Sequence, residues 1–275
     1  MATIHDPAEN SSFESILRHY RRGWQQQLSR VLLLLCLILL SFFVVELFNV
    51  DRIADGIPAT FKLLSEMWPP DFSRFPQWIE PLLDTLAMSV AGTALAIGLS
   101  LPLCLLAARN TTTTHPIVFH SARVILNIAR AIPELILGMV LVAAVGFGKL
   151  PGTLALGLHS VGMVGKFFAE AIELSDQAPV EAARSVGATE PQVIVHSVLP
   201  QVLPQMADVT FYRWEYNFRA SMVLGAVGAG GIGAEIISAL RILQYQQVSA
   251  LLIVVLVMVT IVDGLSSYLR KGFVK

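Results

Sequence analysis

Residues 31–45 form an apolar run broken only by Ser41 and carrying no charge. Extended by Glu46, Leu47 and Phe48, it nears the roughly 20 mostly apolar residues that a helix needs to cross a hydrocarbon core. The polar arm before it, 1–30, is long for a cleavable leader, and no small-residue cleavage pattern follows. The run therefore reads as an uncleaved first span. Further runs fall at 82–108, 133–147, 150–168, 202–227 and 248–269, which predicts six transmembrane helices in an all-α, polytopic membrane protein. The run at 133–147 is short for a free-standing span, and its helix is expected to begin earlier, within 124–131. Composition agrees: 55% of residues are hydrophobic and 14% charged, against about 25% charged in soluble domains. A mean hydropathy of +0.65 points the same way. The formal net charge of -1 supplies no basic field for nucleic acid. Cys36 and Cys104 both lie in apolar runs, where they act as small hydrophobes rather than as a bridge or a metal site.

Orientation follows from lysines and arginines in the short flanking segments. Arg18, Arg21, Arg22 and Arg30 precede the first span, Arg109, Arg123 and Arg130 join the second to the third, and Arg270, Lys271 and Lys275 close the chain. All fall on one side of a six-span layout, so both termini are expected in the cytoplasm. The expected organisation is a cytoplasmic arm at 1–30, a first span at 31–49, an external loop at 50–81, and a five-span core at 82–275. The loop carries Trp68, Pro69, Pro70, Phe72, Phe75, Pro76 and Trp78. These suit either an aromatic belt at the headgroup level or a docking surface for an external partner.

A polar stretch at 175–200 interrupts the core and reads as two short helices. Asp176 caps the first, whose first turn tolerates Pro179, and Gly187 suits the left-handed position that ends it. Thr189 and Gln192 make a capping box for the second, Pro191 sits in its first turn, and Pro200 ends or kinks it. Val180, Ala183 and Val186 mark an apolar side on the first helix, and Ile194, Val195, Val198 and Leu199 mark one on the second. Such a hairpin either lies at the membrane interface or plugs a groove on a soluble partner.

The run Glu181-Ala182-Ala183, with Gly187 four positions after Ala183 and then Ile194 and Leu199-Pro200, resembles the EAA loop of ATP-binding-cassette (ABC) importer permeases. In that family the loop is a coupling helix that docks into a cytoplasmic ATPase. The resemblance implies that Glu181, Ala182, Ala183 and Gly187 form this contact. The chain carries no ATPase of its own: Gly148-Lys149-Leu150 and Gly165-Lys166-Phe167 lack the hydroxyl residue and the upstream glycine of a phosphate-binding loop.

The fifth run holds Arg213, Glu215, Asn217 and Arg219. Charge at membrane depth is costly and normally faces a cavity or another charge. Glu215 and Arg219, at i,i+4, are placed to pair on one helix face. Either they lock helix packing, or Arg219 or Arg213 offers a planar fork of donors to an oxyanion in transit. Gly225, Gly228, Gly230, Gly231 and Gly233 follow. No strand precedes them and no βαβ unit surrounds them, so they serve close packing or a helix break rather than dinucleotide binding.

Glu215-x-Asn217-x-Arg219, the 225–233 stretch, Arg130-Ala131-Ile132-Pro133-Glu134 and the 85–110 region are similar to the phosphonate-type branch of these permeases. That likeness implies transport of a small phosphorus oxyanion: a phosphonate, phosphite or phosphate. It also implies an importer of two copies of this chain, two ATPase subunits that bind ATP and Mg, and a periplasmic substrate-binding protein, in the bacterial inner membrane. Glu134, in the first turn of a helix starting at Pro133, is explained by the helix dipole. The histidines are scattered, with His159 expected to be packed and hydrogen-bonded, and no metal-ligand cluster or nucleophile–base pair stands out. Dispersed histidines and carboxylates argue against a membrane-embedded enzyme. A single glycine-broken region argues against a secondary transporter built from inverted repeats.

Overall fold

The computed structural model describes residues 7–47, 49–111 and 116–273. It divides into two compact units, Met1–Leu63 and Leu64–Lys275.

In the first unit, α1 (Pro7–Val44) joins the polar arm and the first span in one helix. Its apolar part, Gly23–Val44, is about 33 Å long at 1.5 Å per residue, enough to cross a bilayer. After a turn through Glu46, α2 (Val50–Glu66) begins, with the Asn49 side chain accepting from the Arg52 N–H. The first half of the expected external loop is thus helical. Val50, Ile53, Ile57, Phe61 and Leu64 recur at helical spacing along it, a stripe that the loop reading passed over.

In the second unit, α3 (Phe75–Ala107) starts before the expected second span because Trp78 belongs to it. Trp78 was expected among the exposed aromatics, yet it is 1% exposed and packs with Leu82, Ile232 and Leu251. Trp68, Phe72 and Phe75 do remain exposed.

The third span does draw on residues before 133, as its short run suggested, but it is divided into two helices. Helices α4 (Pro116–Ala131) and α5 (Glu134–Val145) meet at 85°. Pro133 has no N–H and pushes the preceding residue out of the α region, so the helix must break there. Alone, α5 is only about 18 Å long. Helix α6 (Lys149–Glu173) is buried along much of its length and packs against α3, with the Ser100 hydroxyl donating to the Val161 carbonyl at 3.2 Å.

The polar hairpin comprises α7 (Gln177–Ser185) and α8 (Glu190–Val193). A π-helical segment, Ile194–Val198, then leads into α9 (Leu199–Leu224). Pro200 therefore does not end the second hairpin helix. The extra residue in the π turn places it in the first turn of α9, where no N–H is required. The helix then breaks within Gly225–Ala229, where Gly228 leaves the helical region, and a 59° bend leads into α10 (Gly231–Arg241); α11 (Tyr245–Phe273) closes the unit.

Helices α1, α3 and α11 are each long and apolar enough to cross a membrane, and the two bent pairs qualify when taken as single broken spans. That makes three spans among the described residues, or five with the bent pairs; α6, 25 residues long and largely buried, does not meet the same measure and lies where the fourth of the six expected spans falls. Apolar clusters occupy both ends of α3. One holds Ala107, Phe168, Val180 and Val198, and the other holds Trp78, Ile232 and Leu251. Between them lie a third apolar cluster, around Met88, Leu156 and Leu224, and a layer of polar side chains.

Candidate functional site

That layer is built on the inward side of α9. Arg213 is 2% exposed and Asn217 0%, and one helical turn sets them on the same face. Asn217 Nδ2 donates to Thr93 Oγ1 of α3 at 2.9 Å, and its Oδ1 accepts from the Ser160 hydroxyl of α6 at 3.0 Å. Arg213 Nε donates to Ser160 Oγ at 2.8 Å, and its Nη1 reaches Met163 Sδ at 3.4 Å. The remaining nitrogen, Nη2, is buried with no hydrogen-bond partner. The guanidinium lies 4.2 Å from the centroid of the Tyr216 ring. In turn the Tyr216 hydroxyl donates to Glu134 Oε1 at 2.6 Å. Glu134 Oε2 stands 3.4 Å from His159 Nε2, and His159 Nδ1 is 2.9 Å from the Ile132 carbonyl. Glu134 thus does open α5, as the helix-dipole reading expected, but it also ties α5 to α9 and α6. His159 is packed and hydrogen-bonded as expected.

The other two charged candidates do not pair with each other. Glu215 Oε1 accepts from Arg270 Nη2 of α11 at 2.8 Å, with Asp208 3.4 Å from the same guanidinium, and Arg219 Nη1 meets Asp263 Oδ1 of α11 at 3.0 Å. The i,i+4 spacing did put Glu215 and Arg219 on one face. That face packs on α11, which supplies the opposite charge to each, so the expected pair across one turn never forms. Thr93, Asp263 and Arg270 could not be read as partners from the sequence, where Arg270 counted only as a flanking charge, because each lies 44 or more residues from the group it meets.

The glycines shape the turn after α9. Gly228 has φ +105°, and its carbonyl accepts from the Gly148 N–H at 3.0 Å. A Cβ there would strike the Phe147 ring. Gly225 and Gly233 lie against each other across the bend, where a Cβ on Gly233 would collide with the Met222 carbonyl oxygen. Gly230 and Gly231 also have positive φ, and the following Ile232 N–H donates to Thr85 Oγ1 of α3 at 2.9 Å. These contacts tie α10 back onto α3.

The hairpin is capped where the sequence placed its caps. Asp176 Oδ1 accepts from the Ala178 N–H at 3.0 Å, Gly187 adopts φ +84°, and the Thr189 N–H donates to Gln192 Oε1 at 2.8 Å. Arg184 grips both carboxylate oxygens of Glu190 at 3.1 and 3.0 Å, and this pairing holds its guanidinium above the usual arginine range. Glu181 and Ala182 are exposed, Ala183 is half-buried, and Val180 is buried. Val186, expected on the inner side, is instead 84% exposed, because α7 ends at Ser185 and the turn swings the next side chain out. On the second helix Val193, Ser197 and Val198 face inward while Val195 and Leu199 stay exposed, a shift set by the π segment.

The hairpin's base identifies its end of the molecule. Asp176 N donates to Gln201 Oε1 at 2.9 Å, and Glu173 binds both the Arg109 N–H and the Arg123 guanidinium at 2.8 Å. Hairpin, Arg109 and Arg123 share one end of the second unit. Among the described residues no group of histidines, cysteines or carboxylates is arranged to hold a metal.

Comparison with known proteins places this arrangement. Residues 100–275 match the family described as binding-protein-dependent transport system inner membrane component. The chain is 59% identical over 267 residues to a phosphite transport system permease protein, PtxC, of Stutzerimonas stutzeri, covering 97% of this chain and 96% of that one. It is 44% identical over 218 residues to a phosphate-import permease protein, PhnE, of Mycolicibacterium smegmatis, covering 79% of this chain and 41% of that one. A chain from a structure of the MetNI methionine ABC transporter in inward facing conformations superposes with a TM-score of 0.65 at 20% identity, covering 74% of this chain and 99% of that one. The chain belongs to the family of binding-protein-dependent transport system inner membrane components.

Proposed function

We propose that this chain is the permease subunit of an ATP-driven importer for a small phosphorus oxyanion, with phosphite the foremost substrate. The observation that carries this reading is the 59% identity to a phosphite permease, which runs through nearly the whole of both chains. The likeness to a phosphate-import permease keeps the wider class of phosphorus oxyanions in view. The chain does no ATP chemistry itself; two ATPase subunits bind ATP and Mg. Two copies of the permease form the pathway about a two-fold axis, and a periplasmic binding protein delivers the anion. Both termini face the cytoplasm, in keeping with the arginines that share one end of the core with the hairpin.

Glu181, Ala182, Ala183 and Gly187 form the contact through which the ATPase drives the membrane helices. An exposed carboxylate and two small side chains on a capped nine-residue helix suit docking into a partner's cleft. The bent α9–α10 pair, with Gly225, Gly228, Gly230, Gly231 and Gly233 at its turn, transmits the movement. Closure of the ATPase dimer pulls the hairpins together and opens the pathway outward.

The test is reconstitution of the permease in liposomes with its ATPase and binding protein. ATP-dependent uptake of phosphite is expected to exceed that of phosphate or a phosphonate. Glu181→Ala is expected to leave the permease inserted while ATP hydrolysis runs without uptake. Absence of uptake for all three anions by the intact assembly would remove the proposed function.

A further inference from the structure

We propose that Arg213 is the oxyanion-binding station of the translocation pathway, held shut in this structure beneath Tyr216. This rests on the oxyanion import proposed above and adds the residues that receive the anion.

Position is the first argument. Thr93, Ser160 and Arg213 each fall at the middle of their helices, α3, α6 and α9. The layer therefore sits near the bilayer midplane, where an anion most needs compensating charge. Electrostatics is the second. A buried guanidinium is strongly disfavoured unless it is paired and its donors are satisfied. Among the described residues Arg213 makes no ion pair within 4.0 Å, and Nη2 is left without an acceptor. The other arginines of this region are engaged: Arg219 by Asp263, and Arg270 by Glu215 and Asp208. Arg213 alone of the three has only neutral groups in direct contact, the Ser160 hydroxyl, the Met163 thioether and the Tyr216 ring, while the Glu134 carboxylate acts on it from beyond ion-pair distance, on the far side of Tyr216.

A tetrahedral oxyanion supplies what is missing. Two of its oxygens accept from the guanidinium fork, and a third lies within reach of the Ser160 hydroxyl once that group turns from Asn217. In the closed structure the Tyr216 ring covers the guanidinium, and Glu134 holds that ring by its hydroxyl. Separation of α5 from α9 breaks this clasp and uncovers the fork.

The test uses the complete reconstituted assembly with three measurements: thermal unfolding of the purified permease, phosphite uptake, and the ratio of phosphite to phosphate uptake. Arg213→Met replaces a buried, unpaired charge by an apolar chain of similar length. The expected result is an unfolding temperature held or raised with uptake reduced about ten- to a hundredfold, the worth of one charge-assisted hydrogen bond. Arg213→Lys keeps the charge and loses the planar fork, and is expected to change the phosphite-to-phosphate ratio. If Arg213→Met assembles and keeps uptake within about twofold, the inference is overturned. Should Arg213→Met fail to assemble, Arg213→Lys decides, and unchanged uptake and ratio there overturn it too. Failure of both to assemble makes Arg213 a structural residue and likewise overturns the inference. An intact assembly that transports no phosphorus oxyanion defeats the proposed function instead, a result distinguishable from any of these.

Discussion

Helix α9 carries charge on two faces, and the two are handled in opposite ways. Toward α11, Glu215 and Arg219 each meet an opposite charge at 3.0 Å or less. Toward α3 and α6, Arg213 and Asn217 meet hydroxyls, an aromatic ring and a thioether, and one guanidinium nitrogen is left over. The same rule, that membrane charge must be compensated, is obeyed on one face and left incomplete on the other. A completed ion pair between two long helices fixes their packing. An incomplete donor set at the core of three helices marks the place where a ligand finishes the arrangement.

The sharpest way to break the contrast is to make the α11 face incomplete as well. Removing Arg270 leaves Glu215, its side chain 10% exposed, without its cation. Stranding a buried charge costs about 3–5 kcal/mol. Arg270→Ala is therefore expected to show the largest loss of thermal stability of the substitutions considered, read as unfolding temperature in detergent. Adding Glu215→Gln is expected to restore much of it, because the neutral amide tolerates burial better. An unchanged unfolding temperature in Arg270→Ala would mean that Glu215 is not anchored through α11.

A smaller effect tests the inner face. Asn217→Ala removes the bonds to both Ser160 and Thr93. Polar contacts between membrane helices contribute about 1–2 kcal/mol at most, so the unfolding temperature is expected to fall less than in Arg270→Ala. Uptake is expected to fall further than stability, since Ser160 loses the acceptor that holds its hydroxyl hydrogen and keeps its lone pair turned to Arg213. Equal losses in both measurements would make this face a packing device like the other.

How far the sequence anticipated this depends on the distance over which each feature acts. Asp176, Gly187, Thr189 and Gln192 work within a turn or two of themselves, and their roles were readable from spacing alone. The apolar runs gave the spans for the same reason. Charges inside the fifth run were conspicuous because they are expensive there, yet sequence offered Glu215 only its neighbour Arg219 as a partner. The actual partners, Arg270 and Asp263, lie 55 and 44 residues further along. Only packing brings them in. Likewise Pro200 read as either a stop or a kink, because nothing local announces the π turn at Ile194–Val198 that lets the helix run on past it. Val186 looked inward-facing because the pattern was carried one residue past the end of α7.

The smallest expected effect is also the one that separates the two arginines most directly. Arg219 and Asp263 are both about half exposed, with side-chain exposures of 44% and 43%. Pairs of that kind contribute about 1 kcal/mol or less. Arg219→Ala on its own leaves Asp263 unpaired but not buried, and the exchange Arg219→Asp with Asp263→Arg is expected to recover whatever is lost. Phosphite uptake by the exchanged protein should stay within about twofold of the original, since a half-exposed pair stabilises packing and releases no donor for an anion. If the exchange restores stability while uptake stays low, the oxyanion reads charge at position 219, and the distinction between the two faces of α9 must be redrawn.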